Sequence, residues 1–90
     1  MSSDSNRYKV ELTGQACKEL SKLEPRLQIR VRLAFDLLAS NPRPPKSVKL
    51  QDSDCYRVRV GNSRVLYKVF DRKLVVVVIK VDHRSKVHRR

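Results

Sequence analysis

Glycine is scarce in this chain, and that removes a class of function at once. Gly14 and Gly61 are the only two in ninety residues. The phosphate-cradling loops of P-loop and dinucleotide-binding proteins need closely spaced glycines, so both motifs are excluded. Cysteine is equally sparse. Cys17 and Cys55 are too few for a disulfide framework and lack the paired spacing of a zinc site, so reduced thiols are expected. His83 and His88 are the only histidines, which leaves no His-rich metal centre and no supportable Ser-His-Asp arrangement. Tryptophan is absent and aromatics make up 6% of residues, so stacking platforms for single-stranded bases are poorly supplied. No run of about 18 apolar residues could span a bilayer. The opening Met-Ser-Ser-Asp-Ser-Asn has no apolar signal-peptide core, and a cytoplasmic protein is expected.

What the chain has in excess is positive charge. Lys and Arg number 21 against 9 Asp and Glu, a net of +12. The excess is uneven: residues 1–42 carry seven basic and five acidic side chains, and residues 43–90 carry fourteen and four. A solvated face would account for a high pI, but charge gathered in one half of a small domain points to nucleic acid. Ninety residues are expected to form one domain, 1–90, with 1–6 frayed and 83–90 a basic tail. A domain this short buries only about 60–65% of its unfolded surface, so its core is small.

Periodicity gives the elements. Tyr8, Val10 and Leu12 alternate with Lys9 and Glu11, predicting a strand with one buried face. Thr13 can cap a short helix in which Ala16, Leu20 and Leu23 share a face. Pro25 suits the first position of a second helix running to about Ser40. That helix has a wide apolar arc: Leu27, Val31, Ala34 and Leu38 in one row, and Ile29, Leu33 and Leu37 in an adjacent one. The arc fits either burial on more than one side or docking of a partner protein. A loop over 41–45, a short strand at 47–50 and strands at 55–60, 63–70 and 74–81 complete the order. The run from Leu74 to Ile79 lacks alternation, which predicts cover on both faces. The fold class is α+β, β-α-α-β-β-β-β, with an antiparallel sheet packed against two helices.

Gly61-Asn62 reads as a two-residue hairpin turn. Pairing outward from it sets Val60, Val58 and Tyr56 against Ser63, Val65 and Tyr67 on an apolar face. The other face sets Arg59 against Arg64 and Arg57 against Leu66. Like charges across a sheet destabilise it, so a polyanion ligand is implied. A three-residue Asp71–Lys73 turn keeps the apolar face of the next hairpin uniform and sets Lys80 across from Arg64. The expected patch is Arg57, Arg59, Arg64 and Lys80, with His83 and the tail leaving from its edge. Arginine suits bidentate phosphate contact. RNA can be cut without a cofactor when its 2′-OH attacks the adjacent phosphorus. The protein must then orient the strand, move two protons and stabilise the charge at phosphorus. His83 and His88 are the residues able to move protons near neutral pH.

The ordered set Lys18-Glu-Leu-Ser-Lys-Leu23, Lys49-Leu50, Asp54-Cys-Tyr-Arg-Val-Arg-Val-Gly61, Arg64-Val-Leu-Tyr-Lys-Val69, Val75-Val-Val-Val-Ile-Lys-Val81 and His83-Arg84 resembles the RelE-type toxins of the RelE/ParE superfamily. The resemblance spans Tyr8 to His88. It implies a RelE-like fold, a ribosome-dependent endoribonuclease that cuts mRNA in the A site, no cofactor or metal, and a RelB-like antitoxin partner. It also implies roles. Arg57 and Arg59 would hold RNA phosphates, Arg64 would stabilise transition-state charge, and Arg84 would contact the scissile phosphate or protonate the leaving oxygen. His88 stands where such toxins often have a tyrosine acting as base on the 2′-OH. Lys49, Lys80, His83, Lys86 and Arg89 would add nucleic-acid contacts. Two other readings fit the same residues: a ParE-like poison of DNA gyrase, and a non-catalytic basic RNA-binding module.

Overall fold

The computed structural model describes residues 7–51 and 53–83. The element order is β1 (Lys9–Leu12), α1 (Gly14–Ser21), α2 (Pro25–Ser40), β2 (Val48–Lys49), β3 (Cys55–Val60), β4 (Ser63–Phe70) and β5 (Val75–His83). The five strands form one sheet in the order β1-β5-β4-β3-β2. All pairs are antiparallel except the edge pair β1–β5, which is parallel.

The helices begin where capping chemistry predicts. Thr13 Oγ1 accepts the Ala16 N–H at 3.1 Å, satisfying one orphan donor of α1. Pro25 opens α2, and the Glu24 side chain makes no cap bond there. Ala16, Leu20, Leu23, Leu27, Val31, Phe35 and Leu38 pack against Val58, Val65, Tyr67, Val76, Val78 and Val81. This is one face of the sheet against one stripe of each helix. The second apolar row of α2 lies opposite, with Ile29 59%, Leu33 57% and Leu37 68% exposed. Of the two readings of the wide arc, burial on more than one side finds no support among the described residues.

The last hairpin departs from expectation. Its turn has four residues, Asp71 to Leu74, because Leu74 adopts a left-handed φ of 54° and strand pairing starts at Phe70↔Val75. Continued unchanged, that register would set Lys80 against Val65, which is fully buried. The sheet avoids this with a β-bulge. Tyr67 pairs with Val78 but Leu66 pairs with Lys80, so Ile79 is the extra residue. Distant groups take up the interrupted backbone. The Thr13 N–H donates to Val78 O at 3.0 Å, Thr13 Oγ1 donates to Ile79 O at 2.9 Å, and the Val81 N–H donates to Glu19 Oε1 at 2.7 Å. Beyond the bulge, Arg64 faces Asp82 and Ser63 faces His83. Val76 and Val78 are fully buried, whereas Val75 and Val77 are only half-buried, because both helices pack on the other side of the sheet.

A polar clamp ties this turn to the loop after α2. Arg43 Nη2 and Nη1 donate to the two Asp71 oxygens at 2.8 and 3.1 Å, and Arg43 Nε donates to the Tyr56 hydroxyl at 3.0 Å. The Tyr8 hydroxyl donates to Asp71 Oδ1 at 2.7 Å. The Arg43 contact first, then the Tyr8 hydroxyl, hold the Asp71 carboxyl down to about 2. A depressed carboxylate contributes stability that is fully present above the ordinary value near 4 and is lost as pH falls through about 2. Asp71→Asn should therefore melt below wild type at neutral pH, and the gap should close between pH 4 and 2. Thermal midpoints measured across that range check it; a gap that stays constant would rule out ionisation of Asp71 as the cause.

Candidate nucleic-acid interface

The β3–β4 hairpin builds the site. Gly61 has φ 59°, which the turn requires and a side chain would strain. The register from that turn is the expected one: Val60↔Ser63, Arg59↔Arg64, Val58↔Val65, Arg57↔Leu66 and Tyr56↔Tyr67. The inward set carries the core, so Arg57, Arg59 and Arg64 are held on the opposite face by the burial of their neighbours. They line an open depression of about 330 Å³ together with Lys46 and Val48. Four cationic groups around one shallow basin can take phosphate oxygens by forked and single contacts.

Arg64 is half-buried, whereas Arg59 across from it is exposed. The Arg64 side chain is 30% exposed, and Nη2 donates to Asp82 Oδ2 at 2.8 Å. Its Nε is buried and has no hydrogen-bond partner among the described residues. A guanidinium fixed this way has little left to reorganise when charge builds nearby, which is the requirement for electrostatic catalysis.

Residues 10–88 match the family described as "ParE toxin of type II toxin-antitoxin system, parDE". The chain belongs to this family of toxins. Among its relatives, "Toxin RelG" of Mycobacterium tuberculosis is 36% identical over 85 residues, covering 92% of this chain and 98% of RelG. The "mRNA interferase toxin RelE" of Escherichia coli K12 is 28% identical over 81 residues, covering 88% of this chain and 85% of RelE. The fold matches the toxin in the M. tuberculosis RelBE2 toxin–antitoxin complex with TM-score 0.77 and 33% identity, over 87% of this chain and 99% of that one. It also matches the intact E. coli RelBE complex with TM-score 0.76 and 28% identity, over 91% and 99%. Within the superfamily the toxin is therefore of RelE type, as its sequence motifs implied.

Placement of the other expected site residues is mixed. Lys80 lies across from Leu66, not Arg64, and its Nζ sits 3.7 Å from Glu19 Oε2 of α1. The four-residue turn and the bulge at Ile79 each move the register by one residue and together are the reason. His83 falls on the helix side of the sheet, where Nδ1 lies 3.2 Å from the buried Ser63 Oγ. It lines a cleft with Glu24, Arg26, Leu27, Arg30, Gly61 and Asn62, away from the arginine basin. The expected place of His83 at the edge of the patch is thus corrected: β5 runs on to His83, which pairs with Ser63 on the core face. Lys49 pairs with Tyr56 on β2 and lines a separate depression with Arg43, Asp54, Lys68 and Phe70. Arg84, Lys86, His88 and Arg89 lie outside the described residues.

Lys46 in the basin and Asp82 beside it, paired with Arg64, were not anticipated. Lys46 reaches it from the Pro-rich loop, whose direction no periodicity encodes; the signal was only that a cation follows Pro44-Pro45. The loop is shaped by the Ser47 N–H and hydroxyl, both donating to Pro44 O at 2.9 and 2.8 Å, and by the Tyr67 hydroxyl donating to Pro42 O at 2.8 Å. Asp82 stood out only as the sole acid of the last nine residues.

Proposed function

We propose that this toxin is an mRNA endoribonuclease that acts on translating ribosomes, cutting message in the A site by attack of a 2′-OH on the adjacent phosphorus. The observation that carries this reading is the convergence of Arg57, Arg59, Arg64 and Lys46 on one basin, in a relative of proteins named mRNA interferase. Arg57, Arg59 and Lys46 hold the backbone phosphates. Arg64 stabilises the charge that develops on the phosphorane oxygens. In the same reading His88 takes the 2′-OH proton and Arg84 attends the scissile phosphate or the leaving 5′ oxygen. No step calls for a metal ion, because the arginines supply the positive charge. Lys49 and Lys80 sit outside the basin, and with Lys86 and Arg89 they are assigned to ribosomal RNA or flanking message.

Several of the matched structures are RelB–RelE complexes, and a RelB-like antitoxin is the proposed partner here. The exposed row Ile29, Leu33 and Leu37 gives such a partner an apolar strip on α2. The reading also places the toxin in the cytoplasm, with the ribosomes.

Induction in cells followed by mapping of mRNA 5′ ends tests the activity. Cuts should fall within translated codons and vanish from a reporter whose start codon is removed. The name of the matching family favours one other reading, a gyrase poison. Intact mRNA together with accumulated DNA–gyrase cleavage complexes would establish that reading and overturn this one.

A further inference from the structure

Among the described residues, Asp82 is the one carboxylate joined to the arginine cluster. It has no obvious place in a phosphate site. A fixed negative charge beside the basin repels the ligand and weakens the field that gathers it. Its position is nevertheless specified by several distant groups. Without the extra residue at Ile79, the sheet would set Val81 across from Arg64. With it, Asp82 occupies that place. The bulge is held by Thr13 and Glu19, which lie more than sixty residues away in the chain.

Across the sheet, Arg64 stands between Arg59 on β3 and Asp82 on β5. Arg59 repels it and Asp82 attracts it, so the two neighbours push the guanidinium in the same direction. Of its five N–H donors, the Nε–H is buried with no partner among the described residues and one Nη2 proton goes to Asp82 at 2.8 Å. That leaves the two Nη1 protons and the second Nη2 proton for a phosphate. The carboxylate therefore selects the edge of the fork that an incoming oxygen meets.

We propose that Asp82 is a positioning residue: it orients the Arg64 guanidinium for the transition state and weakens ground-state binding in doing so. The inference rests on the endoribonuclease reading for its kinetic consequence, but the orientation itself belongs to the free toxin. The competing explanation is simple charge balance, in which Asp82 only relieves repulsion between Arg59 and Arg64. The two differ in what happens to rate and affinity.

The test is single-turnover mRNA cleavage on programmed ribosomes, read as a plateau rate and a half-saturating toxin concentration. Four proteins are compared: wild type, Asp82→Ala, Asp82→Asn and Arg64→Ala, with the double variant Arg64→Ala/Asp82→Ala closing the cycle. Asp82→Ala should lower the plateau rate by about tenfold or more, as expected for a misaligned group. Its half-saturating concentration should stay level or fall, because a repulsive charge has gone. Asp82→Asn, whose amide oxygen can still accept from Nη2, should recover part of the rate. In the Arg64→Ala background, removing Asp82 should change the rate by less than about twofold, since the two act as a unit. Equal losses in both backgrounds would mean that Asp82 acts alone, and an unchanged plateau in Asp82→Ala would mean charge balance only; either sinks the proposal.

A second readout needs no activity. In ¹⁵N spectra of the free toxin, Arg64 should show hindered rotation of its guanidinium, which Asp82→Ala releases. A freely rotating Arg64 in wild type overturns the proposal even if ribosomes are cut. Conversely, failure of wild type to cut ribosome-bound mRNA refutes the endoribonuclease reading. The spectra then decide the orienting role by themselves.

Discussion

Arg64→Ala is expected to lower mRNA cleavage on ribosomes by about 10²–10³-fold, the loss typical of removing one preorganised donor from developing negative charge. The fold should hardly notice. Arg64 is part-exposed, its ion pair with Asp82 is open to solvent, and its loss removes the repulsion from Arg59. A pair this exposed contributes less than about 1 kcal/mol, so the thermal midpoint should move by only a few degrees. Arg57→Ala and Arg59→Ala provide the contrast. These side chains are assigned to ground-state phosphates, so their loss should raise the half-saturating concentration and reduce the salt slope of binding by about one each. Their plateau rates should fall less than that of Arg64→Ala. Stopped cleavage reactions at several toxin concentrations separate the two patterns. An Arg64→Ala protein that keeps its plateau rate and loses only affinity would place Arg64 among the binding residues.

The hairpin that presents these arginines could be read from its sequence because everything that determines it is local. Gly61-Asn62 selects the turn, the turn selects the register, and alternation selects the face. Arg59 opposite Arg64 follows from those three steps, and the structure has it so. The next hairpin could not be read in the same way. Its turn includes Leu74 in a conformation that leucine seldom adopts, and its bulge is held by Thr13 and Glu19 from the other end of the chain. No local pattern reports a backbone group satisfied from that distance. The extra turn residue and the bulge residue together slid β5 by two positions, which set Lys80 across from Leu66, Asp82 beside Arg64 and His83 across from Ser63. The apolar arc of α2 shows the other limit. Its width was visible in the spacing, but only packing decides which row meets the core, and the row of Ile29, Leu33 and Leu37 is left in solvent.

Tyr67 joins the core to the loop that delivers Lys46, so its removal should be the most damaging single change to the fold. The residue is fully buried, and its ring stacks on Tyr56 with centroids 5.7 Å apart. Burial pushes its phenol up from the ordinary range, and the hydroxyl donates to Pro42 O at 2.8 Å. Tyr67→Ala removes the ring and leaves a cavity, a change that costs about 3–5 kcal/mol at buried aromatic sites. Small domains have only about 5–15 kcal/mol in total, so the variant should populate unfolded chains at 37 °C. Tyr67→Phe separates the two contributions. It keeps the packing but leaves the buried Pro42 carbonyl without its donor, at a cost of about 1–2 kcal/mol. For a domain of this size that is a drop in thermal midpoint of about 4–8 °C per kcal/mol. The slackened loop should also weaken Lys46 as a phosphate contact, so Tyr67→Phe should lose affinity for ribosomes while keeping its plateau rate. Denaturant titrations of the three proteins, with cleavage measured alongside, check both halves. If Tyr67→Ala unfolds within about 1 kcal/mol of wild type, the side chain is not the anchor that its burial implies.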